Sequence, residues 1–175
     1  MRFTEGGMRL RSTDADEKRI ESAYRRYADM LYRVALAHVG SPEDAEDAVH
    51  DAFVKYMQSS PDFSDESHER AWLIRVTINR THDLYRRRST RSYVELSEAG
   101  EIAAEESHGA ENGVTAIVST LPDKYKSVIV LHHLEGYSVE ETAASLGISE
   151  SAVKMRLSRG RDMLRKAMEK EGYRV

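Results

Sequence analysis

The segment Tyr137-Ser138-Val139-Glu140-Glu141-Thr142-Ala143-Ala144-Ser145-Leu146-Gly147-Ile148-Ser149-Glu150-Ser151-Ala152-Val153-Lys154 holds the densest set of residues whose types and spacing suggest a chemistry. Ser138 and Glu141 have the spacing of a capping box, in which each side chain satisfies the other's free backbone N–H at the start of a helix. Ala143 is small enough for a second helix to cross closely, Gly147 allows the tight turn, and Ser149 caps that second helix. Ile148, Val153 and Leu157 plug the angle between the two. With Val153 and Leu157 inward, Lys154, Met155, Ser158 and Arg159 project outward from the N-terminal half of the second helix. The layout is a helix-turn-helix, and that outward face suits base edges in a major groove. Arg156, Arg161 and Arg165 lie beside it for phosphates. A helical hairpin with a solvated basic face is the plainer reading, but turn, caps and basic face agree on nucleic-acid contact.

A second set lies earlier. Trp72, Arg75 and Asn79 recur at steps of three and four, and Phe63 opens the loop before them. Aromatic rings and guanidinium planes stack on unpaired bases, and an amide reads their edges, although a lone Trp at a buried helical position equally suits packing. Arg80, Arg86, Arg87 and Arg88 offer phosphate contacts, or a charged helix end. A third set, Asp44, Glu46, Asp47 and Asp51, forms an acidic helix face that suits a partner surface, or simply a solvated helix start. His50-Asp51 with His38 upstream, and Glu46/His50 at i,i+4, superficially resemble a metal-dependent phosphohydrolase. That chemistry needs further His and Asp ligands in register on other helices, and His132-His133 sit in an apolar helix where packing is commoner. No catalytic residue, metal or cofactor is therefore expected. A homodimeric repressor would use the same helix-turn-helix, but it calls for a dimerisation helix where this chain has a domain with its own nucleic-acid face.

These sets need helices to hold them. Ile20, Ala23, Tyr24, Tyr27, Leu31, Val34, Ala35 and His38 recur at steps of three and four and predict a helix from Asp14 to Gly40. Ser41-Pro42-Glu43-Asp44 starts a second, running to about Ser59 and burying Ala45, Ala48, Val49, Ala52, Phe53 and Tyr56. A third spans about His68 to Arg87, with Trp72, Leu73, Val76 and Leu84 on its buried side. Residues 89–113 are acidic and lack an apolar stripe, as a tether would. Order resumes near Val114, breaks at Pro122 and continues to Gly136. Helices over Ser138 to Leu146 and about Glu150 to Lys170 follow. The expectation is an all-α chain of two small helical domains, residues 14–90 and 114–172, joined by a flexible acidic linker over 91–113. Residues 1–13 lack periodicity, and Met8 is an alternative start.

Length and composition agree. The chain has 175 residues, 40% apolar and 32% charged, with 3 Pro, 10 Gly and no Cys, which favours helices and excludes disulfide, thiolate and zinc-knuckle chemistry. No apolar run approaches a membrane span and no signal peptide opens the chain, so a cytoplasmic address is expected. The net charge of -4 is unevenly distributed. Residues 1–88 carry 15 basic against 16 acidic side chains, residues 89–113 carry 1 against 6, and residues 114–175 carry 10 against 8. Arg75 to Arg91 and Lys154 to Arg174 are local basic patches, and fields act over about 10 Å, so the overall charge does not exclude DNA.

Leu121-Pro122-Asp123-Lys124-Tyr125 with Val128, Leu131 and the helix-turn-helix through Arg165 resembles the C-terminal promoter-binding domain of bacterial sigma factors. Trp72-Leu73-Ile74-Arg75-Val76-Thr77-Ile78-Asn79-Arg80-Thr81-His82-Asp83, and Asp44-Ala45-Glu46-Asp47-Ala48-Val49 before it, resemble the other sigma domain. The two matches cover about residues 20–90 and 114–170 in the expected order. With only a tether between them, they point to the extracytoplasmic-function (ECF) group.

The resemblance implies a promoter-specificity subunit that directs transcription initiation and assists melting. It assigns Ser149, Ser151, Lys154, Met155, Arg156, Ser158, Arg159 and Arg161 to the minus-thirty-five element. Met155, where the family commonly has a small polar residue, suits a thymine methyl or packing. To the minus-ten element it assigns Phe63, Trp72, Arg75, Asn79, Arg80, Arg86 and Arg87. Asp44, Glu46, Asp47 and Asp51 fall to core RNA polymerase, whose β′ clamp helices and β flap are the implied docking surfaces. His50 stands where the family more often has Gln. An anti-sigma factor is a further implied partner, and no membrane insertion is expected.

Overall fold

The computed structural model describes residues 14–59, 61–98, 113–170 and 172, and among them it is built from helices with no strand. The N-terminal unit holds α1 (Asp14–Val39), α2 (Pro42–Ser59) and α3 (Glu66–Glu98). The C-terminal unit holds α4 (Gly113–Ser119), α5 (Asp123–Ile129), a π-helical turn (Val130–Leu134), α6 (Val139–Leu146) and α7 (Glu150–Lys170). No helix among the described residues is long and apolar enough to cross a membrane.

Local sequence accounts for most of the boundaries. Gly40, at φ 69°, closes α1 in the left-handed region that glycine enters without a Cβ penalty. Ser41 Oγ accepts from the Asp44 N–H at 3.4 Å as α2 begins. The buried residues of α2 are Ala45, Ala48, Val49, Ala52, Phe53 and Tyr56, the set its periodicity predicts. Asp65 caps α3, its Oδ1 accepting from the His68 N–H at 2.8 Å. That bond holds the Asp65 carboxyl below its ordinary range.

One expectation is corrected. Helix α3 continues to Glu98, past the expected end near Arg87 and into the stretch expected as a tether from residue 91. No Gly or Pro interrupts the chain there before Gly100, so nothing local stops propagation. Tyr24, within the periodic set of α1, is 52% exposed. It sits at the edge of the apolar stripe, with its ring 5.0 Å from Phe53. Residues 1–13 and 99–112 lie outside the described residues.

The two units pack against each other through α1, which touches α4, α5 and the π-helical turn, while α3 touches α6. One continuous apolar cluster runs from Leu31, Val34 and Ala35 on α1 to Val118, Val128, Ile129 and Leu131. Polar contacts rim it. Arg33 forms a fork on Glu135, with Nε and Nη2 donating at 2.5 and 2.8 Å, and the Glu135 side chain is only 9% exposed. Glu135 follows the π turn, whose wide ring is closed by the Glu135 N–H to the Val130 carbonyl at 3.0 Å.

Arg33→Ala would leave the Glu135 carboxylate largely buried without its fork. Because Arg33 is itself 43% exposed, the expected loss is about 1–2 kcal/mol rather than the larger cost of breaking a fully buried pair. Urea unfolding checks it: the variant's midpoint should fall, and Glu135→Gln in the Arg33→Ala background should recover part of the loss.

Candidate nucleic-acid interface

The geometry of α6 and α7 follows from a few local interactions. Ser138 Oγ accepts from the Glu141 N–H at 3.0 Å, and Glu141 Oε2 accepts from the Ser138 N–H at 2.9 Å, completing the capping box. The Ser138 groups hold the Glu141 carboxyl below its usual range. Gly147 ends α6 at φ 65°, its N–H bonded to the Ala143 carbonyl. Ser149 Oγ accepts from the Ala152 N–H at 3.2 Å at the start of α7. Val153, Leu157 and Gly160 are buried. A Cβ on Gly160 would stand 3.1 Å from Ile129 Cγ1 and Cδ1 and 3.6 Å from Tyr125 Cβ, so the bare backbone lets α7 lie close to α5.

With that side inward, Ser149, Ser151, Lys154, Met155, Ser158, Arg159 and Arg161 are exposed and Arg156 is half-buried. Lys154 reaches back to Glu150 at 3.6 Å. All of the helix-turn-helix candidates except Arg156 therefore face solvent. Met155 is 48% exposed, an apolar patch among hydroxyl and cationic donors.

The candidates around α3 are more mixed. Phe63, Tyr56 and Trp72 form an aromatic cluster, with ring centroids 5.6 Å (Tyr56–Phe63), 5.8 Å (Tyr56–Trp72) and 5.9 Å (Phe63–Trp72) apart. Phe63 and Trp72 are half-buried in it. The Tyr56 hydroxyl donates to Glu69, and burial together with that carboxylate pushes the phenol well above its ordinary range. Beside Phe63 an open cavity of about 280 Å³ is lined by Arg19, Arg26, Glu66 and Glu69. Arg19 stacks over the Tyr56 ring at 5.3 Å, and Arg26 pairs with Glu66. Sequence reasoning passed over Arg19 and Arg26, since they lie on α1, far along the chain from Phe63, and only the packing of α1 on α3 brings them together.

Asn79 and Arg87 are exposed, as is Arg86, which pairs with Asp83 at 2.7 Å. Arg80 is half-buried and bound to Asp51. Two residues assigned to different partners are thus each other's ligand. On α2, Glu46 and Asp47 are exposed, whereas Asp44 and Asp51 are half-buried.

Arg75 faces the C-terminal unit. Its Nη1 donates to the carbonyls of Ala144 and Ser145 at the end of α6, each at 3.4 Å. One turn earlier, Arg70 lies 4.6 Å over the Tyr137 ring and 3.4 Å from Glu141. The α3 face that carries Arg75 is therefore partly covered by the first helix of the helix-turn-helix.

Among family models, sigma-70 region 2 matches residues 23–91 and sigma-70 region 4 matches residues 112–164. The chain is 33% identical over 150 residues to the ECF RNA polymerase sigma factor SigE of Mycolicibacterium smegmatis, across 81% of this chain and 58% of that one. It is 38% identical over 152 residues to the RNA polymerase sigma factor CnrH of Cupriavidus metallidurans, covering 75% of this chain and 79% of CnrH. Its fold is similar to that of the sigma factor RpoE of Bartonella quintana, solved with the anti-sigma factor NepR, with a TM-score of 0.66 at 24% identity over 87% of this chain and 98% of that one.

Gly160→Leu drives a side chain into Ile129 and Tyr125, an overpacking cost of about 1–3 kcal/mol. The unfolding midpoint should fall accordingly. Gly160→Ala should cost far less, since helix propensity returns up to about 1 kcal/mol.

Proposed function

The chain belongs to the bacterial RNA polymerase sigma factors of the ECF group, and we propose how its surfaces divide the work of promoter recognition. It binds core polymerase and directs initiation at promoters through their minus-ten and minus-thirty-five elements. It performs no chemistry of its own, since bond formation belongs to the polymerase, and it works where the polymerase does, in the cytoplasm. Residues 14–90 serve polymerase and the minus-ten element, residues 114–172 serve the minus-thirty-five element, and 91–113 connect them.

The observation that supports this reading best is the polarity of α7. Val153, Leu157 and Gly160 are buried while Lys154, Met155, Ser158 and Arg159 are all exposed. Such a helix enters a major groove with donors toward base edges and Met155 toward a thymine methyl. Ser149, Ser151, Arg156 and Arg161 flank it toward phosphate. On α3, Asn79 and Arg75 offer an amide and a guanidinium to an unstacked strand, with Phe63 and Trp72 as stacking surfaces, while Arg80, Arg86 and Arg87 meet phosphate. The exposed carboxylates Glu46 and Asp47, with Asp44 and Asp51, face polymerase, where opposite charge speeds and orients encounter. By analogy with RpoE and NepR, an anti-sigma protein is a further partner.

Engaging both elements requires the units to part. The element names put them about 25 base pairs apart, roughly 85 Å of duplex, whereas Arg75 lies against α6 in the structure. The chain between Glu98 and Gly113 can reach about 50 Å when extended, enough for a wide separation. Arg75 then exchanges two carbonyl ligands for nucleic acid, and Arg80 leaves Asp51 where phosphate competes.

Transcription in vitro with purified core polymerase and a broad promoter library tests the reading. A promoter-dependent transcript is expected, and its absence together with no binding to core would overturn it. On a responsive promoter, Arg159→Ala should relax preference at particular bases by about 1–3 kcal/mol. Arg161→Ala should weaken all sequences alike and reduce the salt slope by about 0.9.

A further inference from the structure

Where α1, α3 and α5 meet, three potential metal ligands converge from both units. His38, His82 and Asp123 each offer one ligand atom, and these atoms all lie within 4.8 Å of one another. The chain neighbours that sequence reasoning paired with His38 were His50 and Asp51. The fold instead gives His38 a histidine one helix away and a carboxylate from the other unit.

Two details set this group apart from an ordinary polar contact. The His38 side chain is 3% exposed, and its Nδ1 has no hydrogen-bond partner, standing 3.8 Å from Asp123 Oδ1. The Nε2 of His82 is likewise buried and unpartnered. Leaving buried ring nitrogens unsatisfied costs free energy, and with a nitrogen of each ring within 4.8 Å of the other and of the Asp123 carboxylate, one shared occupant would relieve that cost. The other nitrogen of His38 is already engaged: Nε2 lies 2.7 Å from Ser127 Oγ. A proton on Nε2 directed at that hydroxyl leaves the Nδ1 lone pair aimed into the group, the outer contact that orients a metal-bound histidine.

The geometry points to a divalent cation of the zinc class held by His38 Nδ1, His82 Nε2 and an Asp123 carboxylate oxygen, clamping the N-terminal unit to the C-terminal unit. Two imidazoles and one carboxylate suit a borderline-soft late first-row ion, with solvent in the fourth position. Ligand atoms around such an ion stand about 3.4 Å apart when bonds are 2.0–2.1 Å, so the side chains must draw in by about 1 Å. The Asp123 side chain, 58% exposed, has room to do so.

Lys126 opposes the ion. It is buried, lies 3.1 Å from Asp123 Oδ1 and donates to the His38 carbonyl at 3.4 Å. Its ammonium neutralises the only carboxylate in the group, so a bound cation meets an uncompensated positive charge. The site is thereby set for modest affinity. The clamp stands apart from the promoter-binding reading, because binding and clamping are measurable without polymerase.

The test uses the full chain without an affinity tag, stripped with chelator and titrated with Zn²⁺ by calorimetry and with Co²⁺ by visible absorption. One equivalent should bind, with the absorption of a four-coordinate cobalt site. His82→Ala and Asp123→Asn should each weaken binding at least tenfold, and His38→Gln, which can keep the Ser127 hydrogen bond while losing Nδ1, should do the same. Lys126→Met should tighten it about tenfold. Zn²⁺ should raise the thermal midpoint of the parent chain and leave that of Asp123→Asn unchanged. The proposal is overturned if the parent chain binds no ion at millimolar Zn²⁺, if His82→Ala and Asp123→Asn bind as the parent does, or if His132→Ala/His133→Ala abolishes binding instead.

Discussion

The seam between α1 and the C-terminal unit is the constraint on which the rest of the structure depends. Leu31, Val34 and Ala35 are fully buried, and they lie in one cluster with Val118, Val128, Ile129 and Leu131 across the seam. The two units share this part of the core. Burying each Leu, Val or Ile side chain contributes about 1.5–3 kcal/mol, so the apolar seam supplies most of the attraction. The Arg33–Glu135 fork and the contacts of Arg70 and Arg75 with α6 fix its register.

In this arrangement only one of the two proposed DNA-binding faces is partly covered. The helix-turn-helix face of α7 stays exposed, while Arg75 on α3 is occupied by carbonyls of α6. The covering contacts are long and few, and Arg70 and Arg75 also stay partly solvated. Under the proposed function, such contacts exchange for phosphate or bases at little cost, whereas the apolar seam is offset by polymerase and promoter together. Under the proposed function, that division suits a protein whose two DNA-binding faces are needed only on the polymerase. A cation bridging His38, His82 and Asp123 would add to the side of closure.

Much of this was legible in the sequence wherever the determinants are local. The capping box of Ser138 and Glu141, the turn at Gly147 and the buried stripe of α2 follow from spacing alone, because partners lie within one helical turn or one crossing. The outward face of α7 was legible for the same reason: placing Val153 and Leu157 inward fixes Lys154, Met155, Ser158 and Arg159. Sequence periodicity does not report contacts between distant segments. Arg33 with Glu135, Asp51 with Arg80, and His38 with His82 and Asp123 are joined only by tertiary packing, and the family resemblance alone gives Arg80 and Asp51 separate intermolecular roles. The length of α3 was missed because acidic composition suggested a tether, while the local absence of Gly and Pro lets a helix persist.

The most direct measurement of the central claim is the distance between the units in the free chain and on promoter-bound polymerase. The chain has no cysteine, so Tyr85→Cys on α3 and Met163→Cys on α7, both at exposed positions, can carry a spin-label or fluorophore pair without background. The account predicts a single short distance for the free protein that lengthens by roughly several tens of ångströms when both promoter elements are engaged. A free chain that already shows the long distance, or a distance unchanged on the promoter complex, would contradict it.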